Sequence, residues 1–221
     1  MTLIEFKNVT FSYPRRVRRG FFKSESQVCL DNISLCVDVG DRIGFYGSNG
    51  SGKSTLLKLM AGIFTPDFGT ITRRCSISSF LNIFTGLNPD LSGLDNIRQS
   101  LLMQGYDGCE INDKLIEDII AITRLGEAIN WPMRTYSSGM YIRIPFATAI
   151  HKKSDVYIFD EWLSVGDDEF RDFANERLQD LVGQSKALVV ASQSLSFLRS
   201  KCDIVYRIDG HKLREVVDEN R

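Results

Sequence analysis

At 221 residues the chain has room for one large domain with a substantial core, and its 27 basic against 28 acidic residues leave no global charge field that would draw it onto nucleic acid. Five cysteines, Cys29, Cys36, Cys75, Cys109 and Cys202, form no C-x-x-C pair and are odd in number, which argues against a disulfide framework or a zinc site and suits a reducing compartment. The opening Met1–Lys7 has no signal-peptide pattern and no apolar run approaches the roughly 20 residues that span a bilayer, so at any membrane another chain is expected to hold this one.

Leu3–Val9 alternates apolar and polar residues like a half-buried strand, and Ile33–Val37 does so again. Between them Ser12–Lys23 carries five positive charges and no acid, with Phe21 and Phe22 alongside. It reads as a loop, either simply solvated or in contact with anionic headgroups or a phosphorylated lipid. Val39–Asp41 is a turn into Arg42–Tyr46, a short apolar run that reads as a buried strand. Gly47-Ser48-Asn49-Gly50-Ser51-Gly52-Lys53-Ser54-Thr55 then fits the phosphate-binding pattern G-x-x-x-x-G-K-[ST] at every fixed position, and Thr55–Ala61 continues at helical spacing. Strand, glycine-rich loop and helix follow in the order that phosphate binding needs. The glycines let successive N–H groups turn inward, and the helix start adds partial positive charge. Lys53 would reach the β- and γ-phosphates of a nucleotide, and the Ser54 hydroxyl would ligate Mg2+.

Gly62–Thr70 reads as loop into strand. From Gly86 to about Trp131 the pattern becomes helical, with Leu94, Ile97, Leu101 and Leu102 on one run, Leu115 to Ile122 on another, and a break at Gly105–Gly108. Ser137 and Ser138 are N-cap candidates for a helix running towards His151, with Pro145 expected to kink it. Val156–Phe159 is an apolar strand ending in Asp160-Glu161, Ala187–Ala191 is another buried strand, and Ile204–Leu213 reads as a hairpin with Asp209-Gly210 at its tight turn. Beside a phosphate loop the two carboxylates have separate uses. Asp160 can hold Mg2+, directly or through its water, while Glu161 can orient and polarise the water that attacks the γ-phosphate.

The phosphate loop, Ser137-Ser138-Gly139-Met140 in place of the usual L-S-G-G-Q signature, and Asp160-Glu161 occur in the order and spacing of an ABC-transporter nucleotide-binding domain, which the chain resembles over nearly its whole length. Thr135–Met140, Asp160–Asp167 and Gly86–Gly93 look like the ATPase subunits that export bacterial O-antigen, capsular polysaccharide and teichoic acid. The resemblance implies an α/β fold: a P-loop NTPase core of ABC type with an antiparallel β-subdomain and an inserted α-helical subdomain. It implies one nucleotide-binding domain over residues 1–221, with residues 86–152 helical and residues 1–85 and 153–221 forming the catalytic core and β-subdomain. Some O-antigen members carry a further C-terminal carbohydrate-binding domain, which this chain is expected to lack.

The same resemblance implies ATP and Mg2+ as cofactors and two copies packed head to tail, with Ser137, Ser138 and Gly139 of one copy facing the γ-phosphate held by the other. Ser164–Asp167 would cross between the sites, Tyr13 would stack on adenine, and Asn82 would stand where the family has a Mg2+-linked glutamine. Asp95 and Asn96 would lie near a separate integral-membrane permease, and the assembly would move a lipid-linked polysaccharide from the cytoplasmic face of the inner membrane. The family's usual histidine after the strand ending at Ala191 is Gln193 here, which can hydrogen-bond a γ-phosphate but has no charged form near neutral pH. A soluble or regulatory ABC ATPase of low turnover is the alternative reading that this glutamine raises.

Overall fold

A computed structural model describes residues 1–16, 24–81, 83–161 and 168–216. The chain divides into two compact units, one of residues 1–81, 154–162 and 185–221 and the other of residues 82–153 and 163–184.

The first unit carries two sheets. Strands β1 (Thr2–Arg16), β2 (Ser24–Asp38) and β4 (Phe68–Arg73) form an antiparallel sheet in the order β2-β1-β4. The two long strands stay paired as far as Arg16 opposite Ser24. The basic segment expected to be a loop from Ser12 is therefore strand at its start, because β-pairing is made by backbone N–H and C=O groups whatever the side chains. The remainder of that segment, residues 17–23, lies outside the described residues. Asn8 and Asn32 sit at bulges of the β1–β2 pair with φ of 51° each, a conformation asparagine tolerates.

The second sheet contains β3 (Arg42–Tyr46), β5 (Ile77–Ser79), β6 (Val156–Asp160), β7 (Ala187–Ser192), β8 (Ile204–Asp209) and β9 (Lys212–Glu215), in the order β5-β6-β7-β3-β8-β9. All neighbours are parallel except β8 and β9. Every residue of β7, and β6 up to Phe159, is buried, which explains why these strands read as continuous apolar runs rather than alternating ones. Helix α1 (Lys53–Met60) places Leu56, Leu57, Leu59 and Met60 in the same core as Ile43, Phe45, Ile158 and Val189. The β8–β9 turn differs by one residue from expectation. Asp209 pairs with Lys212, so Gly210 and His211 are the two central residues, with φ of 55° and 67°. Positive φ at both marks a type I′ hairpin, and histidine occupies the second position.

The second unit is helical: α2 (Gly93–Met103), α3 (Asp113–Thr123), α4 (Ser138–His151) and α5 (Asp168–Gly183), with single 3-10 turns at Gly126–Asn130 and Met133–Thr135. Ile97, Leu101, Ile116, Ile119, Ile144 and Ala147 form its core, whereas Leu102, expected on the same apolar face, is 57% exposed. Ser137 is the N-cap of α4, its Oγ accepting from the Met140 N–H at 3.2 Å. Helix α4 runs as one element through the buried Pro145. Proline has no N–H to offer the Tyr141 carbonyl, and a turn later Thr148 Oγ1 donates back to the Ile144 carbonyl at 2.8 Å.

Asn96 corrects an expectation. The resemblance implies a place near a membrane partner's helices, but the side chain is fully buried and so is not presented to a partner. Its Oδ1 accepts from the Asn88 N–H at 2.7 Å, and its Nδ2 donates to the carbonyls of Asn88 at 3.0 Å and Ser92 at 2.8 Å. Asn96 therefore pins the Asn88–Ser92 loop to α2. Its neighbour Asp95 is exposed and helps to cap the helix, accepting from Ser92 Oγ at 2.6 Å while its own N–H donates back at 3.1 Å. Among the described residues no helix is long and apolar enough to cross a membrane.

Candidate nucleotide site

Parallel pairing assembles one wall of the site. β6, β7 and β3 are adjacent, with Asp160 opposite Ala191 and Tyr46 opposite Ser192. Their carboxyl ends therefore finish at one level, so Gly47, Glu161 and Gln193, far apart in sequence, leave the sheet side by side. Such an edge is where open parallel sheets hold ligands. Glu161 follows with φ of 68°, unusual for a residue with a Cβ, and its N–H donates to the Ala191 carbonyl at 2.9 Å. Its Oε1 accepts from Gln193 Nε2 at 3.2 Å. The glutamine thus fixes one carboxylate oxygen and leaves the other available to a water or substrate proton.

A cleft of about 630 Å3 opens here, and its lining includes Asn49, Gly50, Gly52, Lys53, Ser54 and Thr55 with Asp160 and Glu161. The loop fits a phosphate group in three respects. Helix α1 follows Gly52 with no side-chain cap and no acid in its first turn, so no side chain of its own first turn competes for its leading N–H groups. Ser51 Oγ is buried and has no hydrogen-bond partner. A Cβ at Gly47 would run into that same Ser51 side chain, so glycine keeps the cradle open. Gly52 itself has φ of 106°, and a Cβ there would stand 3.2 Å from Leu30 Cδ2 and 3.3 Å from the Cys29 carbonyl. Lys53 is 7% exposed, and its ammonium donates to the carbonyls of Gly47 at 2.7 Å and Ser48 at 3.0 Å. The charge is buried within the loop, where phosphate oxygens would offer stronger, charge-assisted partners.

The same cleft is lined by Tyr13, Gln27, Val28, Cys29 and His211. Tyr13, 40% exposed, shares a 2.9 Å hydrogen bond with Thr55 Oγ1 and meets Phe11 edge-to-face at 5.1 Å. The structure thus brings together the phosphate loop, Asp160, Glu161 and Tyr13 in one cleft, with Gln193 bonded to Glu161. Ser137, Ser138 and Gly139 stand at the start of α4 in the helical unit. Asn82 and Ser164–Asp167 lie outside the described residues. Gln27, Cys29 and His211 carried no local signal. They reach the cleft through β-pairing and a hairpin formed by sequence-distant segments.

For Mg2+ the residues present are Ser54 and Asp160, both on the cleft wall. Among the described residues no cluster of three or more His, Cys, Asp or Glu side chains exists. A serine hydroxyl and one carboxylate suit an ion that takes one or two protein ligands and completes its shell with phosphate oxygens and water.

A family model described as ABC transporter matches residues 30–164, more than half of the chain, and encloses the phosphate loop, the Ser137–Gly139 segment and Asp160-Glu161. The chain belongs to the ABC transporter family. It is one of the family's ATP-hydrolysing cassettes. This ABC cassette is 35% identical to RfbE, the O-antigen export system ATP-binding protein of Yersinia enterocolitica, over 95% of each chain. It is 38% identical to RfbB, the O-antigen export system ATP-binding protein of Myxococcus xanthus, over 98% of its own length and 53% of that protein. The cassette therefore spans about half of the Myxococcus relative. Its fold is that of the ATP-binding cassette MJ0796, solved as a dimer with ADP and Pi, at a TM-score of 0.72 and 21% identity over 97% of this chain and 98% of that one.

Proposed function

We propose that this cassette is the ATP-hydrolysing subunit of an exporter that moves a lipid-linked cell-surface polysaccharide, of O-antigen or capsule type, across the bacterial inner membrane. It works as a homodimer on a separate membrane permease, at the cytoplasmic face. The observation that carries this reading is the meeting of the phosphate loop, Asp160, Glu161 and Gln193 at the ends of three adjacent parallel strands, in a chain that matches an O-antigen export ATP-binding protein almost end to end.

In this reading Gly47–Thr55 binds the triphosphate, with Lys53 exchanging its carbonyl partners for phosphate oxygens. Ser54 and Asp160 would hold Mg2+, which supplies charge neutralisation on the phosphates when bound. Glu161 orients the attacking water and takes its proton, and Gln193 keeps the carboxylate in place through its amide. Tyr13 covers the base. Ser137, Ser138 and Gly139 from the second copy close over the γ-phosphate with the start of α4, a second helix N-terminus, capped by Ser137. Asn82 is proposed as the link between Mg2+ and the helical unit.

Steady-state ATP hydrolysis by the wild-type chain, Glu161→Gln and Gln193→His tests the enzyme reading. Glu161→Gln should lose about 100-fold or more in kcat with ATP binding intact, and Gln193→His should raise turnover. Equal background rates in all three would defeat it. In the source bacterium, Glu161→Gln should stop polysaccharide reaching the surface, and unchanged surface glycan would remove the export assignment.

A further inference from the structure

The hairpin residue His211 lines the cleft with Tyr13, Gln27, Val28 and Cys29. It stands 182 positions from Cys29 in sequence, yet its Nδ1 lies 3.1 Å from the Cys29 carbonyl. A carbonyl oxygen can only accept, so Nδ1 carries the hydrogen, and in the neutral ring Nε2 is left with a free lone pair directed away from that bond. The ring is also placed by its backbone. His211 has φ of 67°, and its own carbonyl accepts from the Asp31 N–H at 2.8 Å, tying the hairpin to β2. A left-handed backbone is unfavourable for a residue with a Cβ, whereas glycine or asparagine would fit the turn without that cost. The hairpin thus holds a costly side chain in the cleft that Tyr13 also lines.

We propose that His211 is a base-selecting residue of the nucleotide site, its Nε2 accepting a hydrogen bond from the exocyclic amine of adenine. The proposal rests on the nucleotide reading above. Adenine presents a donor at that position and guanine a carbonyl acceptor. The Nε2 lone pair therefore pairs with the first and repels the second. Tyr13 supplies sequence-tolerant stacking, since every base has an aromatic face. His211 adds the discrimination that stacking lacks.

Calorimetric titration of the full chain with ATP, GTP and inorganic tripolyphosphate tests this, comparing wild type with His211→Gly and His211→Asn. Both substitutions suit the left-handed turn, and thermal melts confirm that the hairpin remains. His211→Gly should bind ATP about three- to tenfold more weakly, the worth of one ordinary hydrogen bond. Its affinity for GTP should rise and that for tripolyphosphate should be unchanged, so the preference for ATP narrows. Unaltered ATP affinity in both variants would overturn the proposal, as would an equal loss for all three ligands, which is the mark of a purely structural hairpin residue. Failure of the wild-type chain to bind ATP would overturn the nucleotide reading itself and this inference with it.

Discussion

Gly52 shows how one residue without a side chain can decide a site. Its φ of 106° starts α1, and any Cβ would press on Leu30 and the Cys29 carbonyl. Gly52→Ala combines a backbone cost of roughly 1–2 kcal/mol with that crowding. It should weaken ATP binding about tenfold or more, since each 1.4 kcal/mol is a factor of ten. Fluorescent-nucleotide binding, with melting temperature as the folding control, reads this directly; unchanged affinity would mean that the loop does not hold phosphate. Residues of this kind were legible in the sequence because the motif is contiguous and its geometry is local. Glu161 was legible for the same reason, as a carboxylate ending an apolar run. Its φ of 68° and its bond to Gln193 were not, because both arise from β7 lying beside β6. His211 was legible only as the start of the strand after a turn, since nothing in the chain near residue 211 announces the carbonyl of Cys29.

Among the elements, β6 and β7 were readable as buried apolar runs and α2 to α4 from their spacing. The paired extension of β1 and β2 was hidden under arginines, because cross-strand hydrogen bonding does not depend on side-chain polarity. Helix α2 carries the most testable polar feature. Asn96 satisfies its amide entirely within the protein, with Asn88 as donor and the carbonyls of Asn88 and Ser92 as acceptors. Asn96→Ala removes these bonds and leaves the Asn88 N–H without its partner. The loss should be roughly 1–3 kcal/mol, the cost of leaving a buried polar group unmade. Urea unfolding would show it as a lower midpoint at unchanged slope. A midpoint within error of wild type would mean that water replaces the amide without cost. Asn96→Asp should lose more than Asn96→Ala, because a carboxylate has no donor for the Asn88 and Ser92 carbonyls it would face in this buried position.

At the level of the whole molecule the two units were visible as a change from strand-like to helical patterning, while their boundaries depend on chain crossings that periodicity does not report. Near-neutral net charge, −1 at pH 7, means that two copies meet without strong mutual repulsion. If each copy completes its partner's site, nucleotide is the adhesive. Glu161→Gln with ATP and Mg2+ should then double in mass by light scattering. Withdrawing Mg2+ with EDTA, or replacing ATP with ADP, should return it to the monomer. A single mass under every condition would rule out nucleotide-driven pairing.

The strand that introduces the phosphate loop has a particular history on the ribosome. β3 ends at Tyr46, but its neighbours in the sheet are β7 and β8, which begin at Ala187 and Ile204. At about 5–20 residues per second, roughly seven to thirty seconds of synthesis separate β3 from the first strand that can pair with it. Throughout that interval the strand has two open edges and the loop beyond it has no sheet to stand on, so the nascent chain cannot be steadied by the nucleotide it will later bind. The antiparallel β1–β2–β4 sheet, complete by Arg73, is the part able to form early. The order of manufacture thus makes the nucleotide site among the last features of the molecule to exist, and leaves β3 dependent on chaperones or on that early sheet until the final strands arrive.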